Sequence, residues 1–84
     1  MNLTEDETHV MNHYENEGIM PGGGQYYGAL KPYLESMHRS IDVNTALEGL
    51  IEKGFLKASD DLTYFFLTSE GADSIYSKYP GWNE

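Results

Sequence analysis

Two histidines four residues apart are the closest approach to a metal-binding pattern in this sequence. His9 and His13 are one helical turn apart, a spacing at which two imidazoles can bind one metal ion, and Glu5 lies one turn before them. The residues between the histidines are Val-Met-Asn, so the His-Glu-x-x-His pattern of zinc proteases is absent. We predict an exposed polar helix face here, with His9 and His13 as the candidates for a metal site.

Three consecutive glycines in the segment IMPGGGQYYG, residues 19–28, raise the question of phosphate binding. The Walker pattern requires a Gly-Lys-Ser/Thr ending whose lysine contacts the phosphates, and that ending is absent. The dinucleotide-binding pattern requires a further glycine three residues after Gly24, where Tyr27 stands. The segment is therefore predicted to be a flexible connection between two helices.

Other enzyme chemistry is not indicated. The sequence contains no cysteine, which excludes disulfides, thiolate metal sites and thiol catalysis. It has no nucleophile with a recognisable base, no acid pair at a fixed spacing and no cofactor motif. We predict a protein that is not an enzyme and that uses no cofactor.

Acidic residues outnumber basic ones along the whole chain, with 14 Asp and Glu against 5 Lys and Arg and a formal net charge of −9. Residues 1–24 contain no Lys or Arg at all. Such a surface repels phosphates and favours basic partners, although simple solubility or a salt-adapted source organism would give the same balance.

The length of 84 residues supports one domain, residues 1–84, with a small core. No apolar run approaches the roughly 18 residues of a membrane span. The N-terminal MNLTEDETHV lacks the basic and apolar regions of a signal peptide. We therefore expect a cytoplasmic protein that does not enter the membrane.

The first helix is predicted from its capping residues. Thr4 and Glu7 form a capping-box pattern, and Gly18 can terminate the helix in a left-handed conformation. These signals place helix 1 at about residues 4–17.

The second helix is predicted from apolar residues that recur on one helical face. Pro32 either kinks a single helix or lies in the first turn of a shorter helix that begins near Lys31. The residues of the face are Tyr26, Tyr27, Leu30, Tyr33, Leu34 and Met37.

The third helix has the clearest pattern. Asp42 or Ser40 can cap it, and Gly54 ends it. Its narrow apolar stripe consists of Val43, Ala46, Leu47, Leu50 and Ile51.

The pattern then changes to that of strands. FLKAS and LTYFFLT are rich in apolar, aromatic and β-branched residues, and they flank a tight turn at Asp60-Asp61. They predict an antiparallel hairpin between about residues 55–58 and 62–68. Ser69 opens a last helix, which is predicted to extend through about Tyr79. Leu47, Leu50, Phe65 and Leu67 are predicted to share one core.

The order of these elements, with the phrases ALEGLIEKGFLK and YFFLTSEGADSI, resembles the winged helix-turn-helix superfamily, especially repressors of the MarR and PadR type. The resemblance covers residues 40–79 well and the first 39 loosely. It implies an α+β winged-helix fold with a three-helix core, a two-stranded antiparallel hairpin as the wing and a C-terminal helix. It also implies that residues 42–53 form the recognition helix and residues 55–68 form the wing.

The outer face of this recognition helix carries acids where a DNA-binding protein would carry bases. The tip of the wing is acidic as well, at Asp60-Asp61. By helical periodicity the outer face presents Ile41, Asn44, Thr45, Glu48, Gly49 and Glu52. If the protein bound DNA, phosphates would be contacted by Arg39, Lys53 and Lys57, and bases by Asn44 and Thr45.

Two aromatic groups are candidates for contact with a protein. Both faces of the second wing strand are apolar, and the face not used by the core, with Leu62, Tyr64 and Phe66, is either shielded by a neighbouring segment or exposed as a contact patch. Near the C-terminus, the residues Tyr76, Tyr79 and Trp82 are spaced by three; we predict that they pack back on helix 1 or 2, and if exposed they would form an interface.

From these observations we predict a small stand-alone protein of transcriptional-regulator type that acts through a protein partner or a homodimer. The first alternative is a dimeric sequence-specific DNA-binding repressor, which the charge disfavours. The second is an acidic decoy that occupies a nucleic-acid-binding protein.

Overall fold

The structure is a computed structural model, and it describes residues 3–76. The chain forms four α-helices and a three-stranded antiparallel sheet, so the fold is of the α+β class. None of the helices within residues 3–76 has the length and apolar character needed to cross a bilayer. In chain order the elements are α1 (Glu5–Asn16), β1 (Gly24–Tyr26), α2 (Tyr27–Met37), α3 (Val43–Glu52), β2 (Leu56–Ala58), β3 (Tyr64–Leu67) and α4 (Ser69–Tyr76).

Helix α1 begins at the predicted capping box. The Thr4 hydroxyl accepts a hydrogen bond from the Glu7 backbone N–H at 3.1 Å, and the Glu7 carboxylate accepts one from the Thr4 N–H at 3.0 Å. These bonds satisfy two N–H groups that the helix cannot pair internally. Tyr14 is fully buried, and its hydroxyl donates to the Phe65 carbonyl at 2.7 Å. The prediction of a helix at about residues 4–17 is confirmed.

Strand β3 is the centre of the sheet, with β1 on one side and β2 on the other. The predicted antiparallel pairing is confirmed between Leu56–Ala58 and Phe65–Leu67, but residues 62 and 63, predicted in the second strand, lie in the turn. The prediction of a flexible connection through residues 19–28, and hence of a sheet with only two strands, is wrong because β1 lies in that segment. Gly24 pairs with Phe66, and a Cβ on Gly24 would lie only 2.6 Å from that ring. Glycine here lets the aromatic ring cover the edge strand, so part of the glycine run is a strand.

Helix α2 is a single helix that runs through Pro32. The alternative of a shorter helix beginning near Lys31 is therefore wrong. Proline has no N–H to donate to the carbonyl four residues earlier, so the helix depends on its packing. Leu30 and Leu34 supply that packing, since both side chains are 1% exposed.

Helix α3 is capped by Asp42, whose carboxylate accepts from the Thr45 N–H at 3.1 Å. Gly54 follows the helix with a φ of 81°, as its predicted role as terminator requires. Ile51 was predicted in the apolar stripe but is 36% exposed. It lies on the flank because a helix of 3.6 residues per turn places it about 90° from the middle of the stripe. The buried stripe consists of Val43, Ala46, Leu47 and Leu50.

Helix α4 begins after Thr68, whose hydroxyl accepts from the Gly71 N–H at 3.0 Å. Thr68 therefore caps the helix, and Ser69 is its first residue, as predicted. The described part of the helix ends at Tyr76, and the predicted extension to about Tyr79 lies outside the described residues.

One hydrophobic core joins the helices to the sheet. It contains all four residues predicted for it, Leu47, Leu50, Phe65 and Leu67. Burying a side chain of this size contributes about 1.5–3 kcal/mol to the free energy of unfolding. Because α3 and β3 share this core, the position of α3 relative to the hairpin is fixed.

Candidate functional site

Helix α3 and the hairpin turn at residues 59–62 present a surface dominated by acids. Glu48 and Glu52 are exposed on α3, and Asp60 is exposed in the turn. Within residues 3–76 none of these three carboxylates takes part in an ion pair. Ile41, also predicted for this face, is half-buried and packs against the core.

The polar residues predicted to read bases are engaged within the protein. Asn44 is exposed, but its side-chain oxygen accepts a hydrogen bond from the Tyr27 hydroxyl. The Thr45 hydroxyl donates to the Asp42 carboxylate at 2.9 Å. The hydrogen bonds from the Thr45 N–H and hydroxyl hold the pKa of Asp42 below its ordinary value. The Asn44 side chain therefore joins α3 to α2, and the Thr45 side chain supports the cap of α3.

Lys53, predicted to contact phosphates from the end of α3, is instead bound to α1. Its ammonium nitrogen lies 2.9 Å and 3.0 Å from the two carboxylate oxygens of Glu7. Glu7 is only 4% exposed. A lysine held by a buried carboxylate is not free to neutralise a phosphate. The prediction that Lys53 contacts phosphates is therefore wrong.

The buried carboxylate of Glu7 also explains why residue 49 is a glycine. Burial alone would raise the pKa of Glu7, but the hydrogen bonds from Lys53 and Thr4 outweigh burial and lower it below its ordinary value. Gly49 was predicted on the outer face, yet a Cβ there would lie 1.9 Å from a Glu7 oxygen. The prediction was wrong because Gly49 faces α1, where only glycine leaves room for the carboxylate.

The hairpin turn depends on one of its two aspartates. Asp61 accepts hydrogen bonds from the Ser59 hydroxyl at 2.8 Å, the Thr63 hydroxyl at 2.6 Å and the Thr63 N–H at 3.2 Å. These donors, Thr63 first, hold the pKa of Asp61 below its ordinary value. Asp61 thus orders the turn, whereas Asp60 is exposed and adds only charge.

Three other described bases lie outside α3. Arg39 is exposed between α2 and α3, and Lys57 is exposed on β2. Neither forms an ion pair with another residue in the part of the chain described. Lys31 is paired with Glu35 on α2. Arg39 and Lys57 are therefore the predicted phosphate contacts whose charge remains available.

An apolar groove of about 340 Å³ separates α3 from the hairpin turn. Ile51 and Leu62 stand at its exposed edges, and Leu62 is 61% exposed. The backbone of Leu62 has a φ of 61°, a left-handed conformation that leucine rarely adopts. Sequence reasoning missed this groove because the pattern assigned Ile51 to the core and Leu62 to a strand. The groove is lined by Tyr27, Asn44, Leu47, Glu48, Ile51, Leu62 and Phe65.

A ladder of aromatic rings lies on the face of the sheet that points away from the core. The rings of Tyr26 and Tyr64 have centroids 5.4 Å apart, and those of Tyr64 and Phe66 are stacked at 6.2 Å. Leu62 was predicted on this face, but it precedes β3 and lines the groove instead. Tyr26 joins the ladder through β1, which the sequence pattern did not reveal.

The prediction of an exposed polar face is wrong for the two histidines of α1, because His9 and His13 are half-buried in a cleft between α1 and α2. His9 stacks on His38 with ring centroids 3.7 Å apart, and His13 lies 4.9 Å from the ring of Tyr33. Burial lowers the pKa of His13, an effect that Glu17 opposes. Within residues 3–76 no group of three or more His, Asp or Glu is arranged to hold a metal ion.

Of the C-terminal aromatic residues, only Tyr76 is among those described. It is 7% exposed, and its hydroxyl donates to the Ile19 carbonyl at 2.9 Å and reaches the Tyr14 carbonyl at 3.5 Å. Tyr76 thus packs back on the α1 region, as predicted, and does not form an exposed interface. Tyr79 and Trp82 lie outside the described residues.

Comparison of the chain with models of protein families, with curated proteins and with solved structures finds no significant match. The face formed by α3 and the hairpin turn must therefore be interpreted from its own chemistry.

Proposed function

We propose that the protein is a small winged-helix module of transcriptional-regulator type that acts through contacts with a protein partner. In this proposal α3 corresponds to the recognition helix, and the hairpin of β2 and β3 corresponds to the wing. The order of the elements and the shared core of α3 and β3 support the assignment. The surface that would otherwise face DNA, composed of α3 and the hairpin turn, we name the acidic face.

One observation supports a protein partner above DNA. Lys53, the base at the end of α3, is neutralised by Glu7, while Glu48 and Glu52 are left exposed beside it. DNA affinity depends mainly on bases that neutralise phosphates, and this face would bring negative charge to the backbone. A basic protein surface complements it. That partner class includes a nucleic-acid-binding protein, which the module would then occupy as a decoy.

The second candidate is a dimeric DNA-binding repressor. It is favoured by Arg39 and Lys57, which are exposed and have no ion-pair partner within residues 3–76. In a homodimer these bases would occur twice. The acids of each subunit would also occur twice, so DNA binding would remain strongly sensitive to salt.

A titration of mixed-sequence duplex DNA separates the two candidates. Fluorescence anisotropy of labelled duplex should show no binding by the unmodified protein at physiological salt. The triple variant Glu48→Gln, Glu52→Gln, Asp60→Asn should bind measurably better at low salt, since it removes three charges from the acidic face. Asp61 is left unchanged because it orders the turn.

A control triple variant, Glu17→Gln, Glu70→Gln, Asp73→Asn, removes the same charge from exposed positions elsewhere. Its affinity for duplex should stay at the level of the unmodified protein if the position of the acids matters. Tight, salt-sensitive binding by the unmodified protein would overturn the proposal and support the repressor. Sedimentation equilibrium on the same samples would report whether a dimer forms.

A further inference from the structure

The groove between α3 and the hairpin turn has the character of a receptor for an apolar side chain. Leu47 and Phe65 are core residues that also line it, and Ile51 and Leu62 form its exposed edges. Its volume of about 340 Å³ lies at the lower end of the roughly 300–1,000 Å³ range of ligand pockets. A side chain placed here would contact apolar atoms on both edges.

Leu62 supplies a second and independent observation. A left-handed backbone is strained for leucine, whereas glycine or asparagine adopts it readily. A leucine here also leaves an apolar side chain 61% exposed. The leucine side chain makes none of the hydrogen bonds that hold the turn, which include those accepted by Asp61 and the one from the Leu62 N–H to the Ser59 carbonyl at 3.0 Å. The feature that leucine adds is an apolar edge to the groove.

Charge at the edge of the groove specifies what can bind. Glu48 lines the groove, Glu52 lies one helical turn beyond it, and Asp60 is exposed in the turn. A second copy of the chain would bring the same acids to the same place, and like charges would repel. A segment with Lys or Arg one turn from an apolar residue would satisfy both the groove and its acidic edge.

We propose that this groove binds an apolar side chain of a basic amphipathic peptide segment of a partner protein. The inference rests on the proposed function and deepens it, because it names the point on the acidic face at which a partner is anchored. Ile51 and Leu62 hold the apolar side chain, and Glu48 pairs with a neighbouring base of the segment.

The test uses synthetic peptides of about 15 residues, roughly four helical turns, and the ¹⁵N-labelled protein. The first peptide has leucines on one helical face and lysines on the other. The second replaces leucine by alanine and keeps the charge, and the third replaces lysine by glutamate and keeps the leucines. In two-dimensional NMR spectra, only the Leu/Lys peptide should shift the resonances of Ile51 and Leu62.

Variants of the protein locate the contact. Leu62→Gly should weaken binding of the Leu/Lys peptide about tenfold while the fold is kept, because glycine accepts the left-handed backbone. Ile51→Ala and Glu48→Gln should each weaken it roughly fivefold. Met37→Ala is the matched control, since Met37 is 59% exposed but lies away from the groove, and it should leave the affinity unchanged.

Several outcomes would overturn the inference. Equal binding of the Ala/Lys peptide, with no effect of Leu62→Gly, would mean that charge alone attracts the peptide. The acidic face would then remain the binding surface, and the proposal that the groove binds an apolar side chain would be wrong. Shifts confined to Tyr64 and Phe66 would move the site to the aromatic ladder. Shifts of Ile51 and Leu62 that grow with protein concentration and without peptide would assign the groove to a second copy. The proposed function itself is tested separately, by the DNA titration.

Discussion

The two flanks of helix α3 differ in whether their charged side chains are paired and buried or exposed to solvent. On the flank that faces α1, Lys53 and Glu7 form an ion pair that is largely removed from solvent, with Gly49 making room for it. On the flank that faces the hairpin, Glu48 is exposed and unpaired within the described residues, beside the open groove at Ile51. The charges on the α1 flank form a largely buried pair, whereas Glu48 on the hairpin flank is open to solvent.

This difference shows why a count of charged residues is a poor guide to what a helix can bind. Lys53 looks available in the sequence, yet its charge is used to join two helices. The exposed acids of α3, Glu48 and Glu52, form no ion pair within the described residues. The charge that a partner would meet is therefore more negative than the sequence of the helix suggests.

The largest effect is expected from removing the carboxylate of the α1 flank. Glu7→Ala leaves the half-buried Lys53 ammonium and the Thr4 N–H without their acceptor. We expect the free energy of unfolding to fall by roughly 2–3 kcal/mol. Glu48→Ala on the hairpin flank is the control and should change it by less than about 0.5 kcal/mol. Urea unfolding followed by circular dichroism measures the free energy of unfolding of both variants. A similar loss in the two variants would show that the flanks do not differ in how their charges contribute to stability.

A smaller effect is expected from filling the space beside that carboxylate. Gly49→Ala should gain about 1 kcal/mol of helix propensity but lose more, because Glu7 must leave its partners to avoid the new methyl group. We expect a net loss of about 1–2 kcal/mol in the free energy of unfolding. In a Glu7→Ala background the same substitution should stabilise, because the clash is gone, and this double-mutant cycle isolates the contact. Stabilisation in both backgrounds would show that Glu7 moves aside freely.

The smallest effect concerns pH. The pKa of Glu7 is lowered in the folded protein, so the carboxylate contributes stability that is present above the unfolded value of roughly 4.3 and is lost as the pH falls through the folded value. The difference in unfolding free energy between the unmodified protein and Glu7→Gln should therefore shrink as the pH is lowered from about 6 to about 3. Urea titrations at several pH values would measure it. A constant difference would mean that the charge of Glu7 contributes nothing.

Patterns confined to neighbouring residues were read correctly from the sequence. The capping box of Thr4 and Glu7, the cap at Asp42 and the hairpin strands all depend on spacings of a few residues. Propensity and periodicity act at that range, so they are visible without a structure.

Features that depend on distant partners were missed. β1 has three residues and no alternating apolar pattern, and it becomes a strand only because β3 pairs with it. The carboxylate of Glu7 and the ammonium of Lys53 are 46 residues apart in the chain, so nothing local reveals that they meet. The groove requires the exposed side chain of Ile51 and the left-handed backbone of Leu62, and each departs from the repeating pattern that predicted its element.

The central position of β3 also sets an order for folding during synthesis. β3 pairs with both other strands, supplies Phe65 and Leu67 to the core, and accepts the hydroxyl of Tyr14 from 51 residues earlier in the chain. The first three helices therefore leave the ribosome before the strand that completes their core. Until residue 67 has emerged, α1, α2 and α3 can pack only on one another, and the side of their core that β3 covers in the folded protein has no sheet against it.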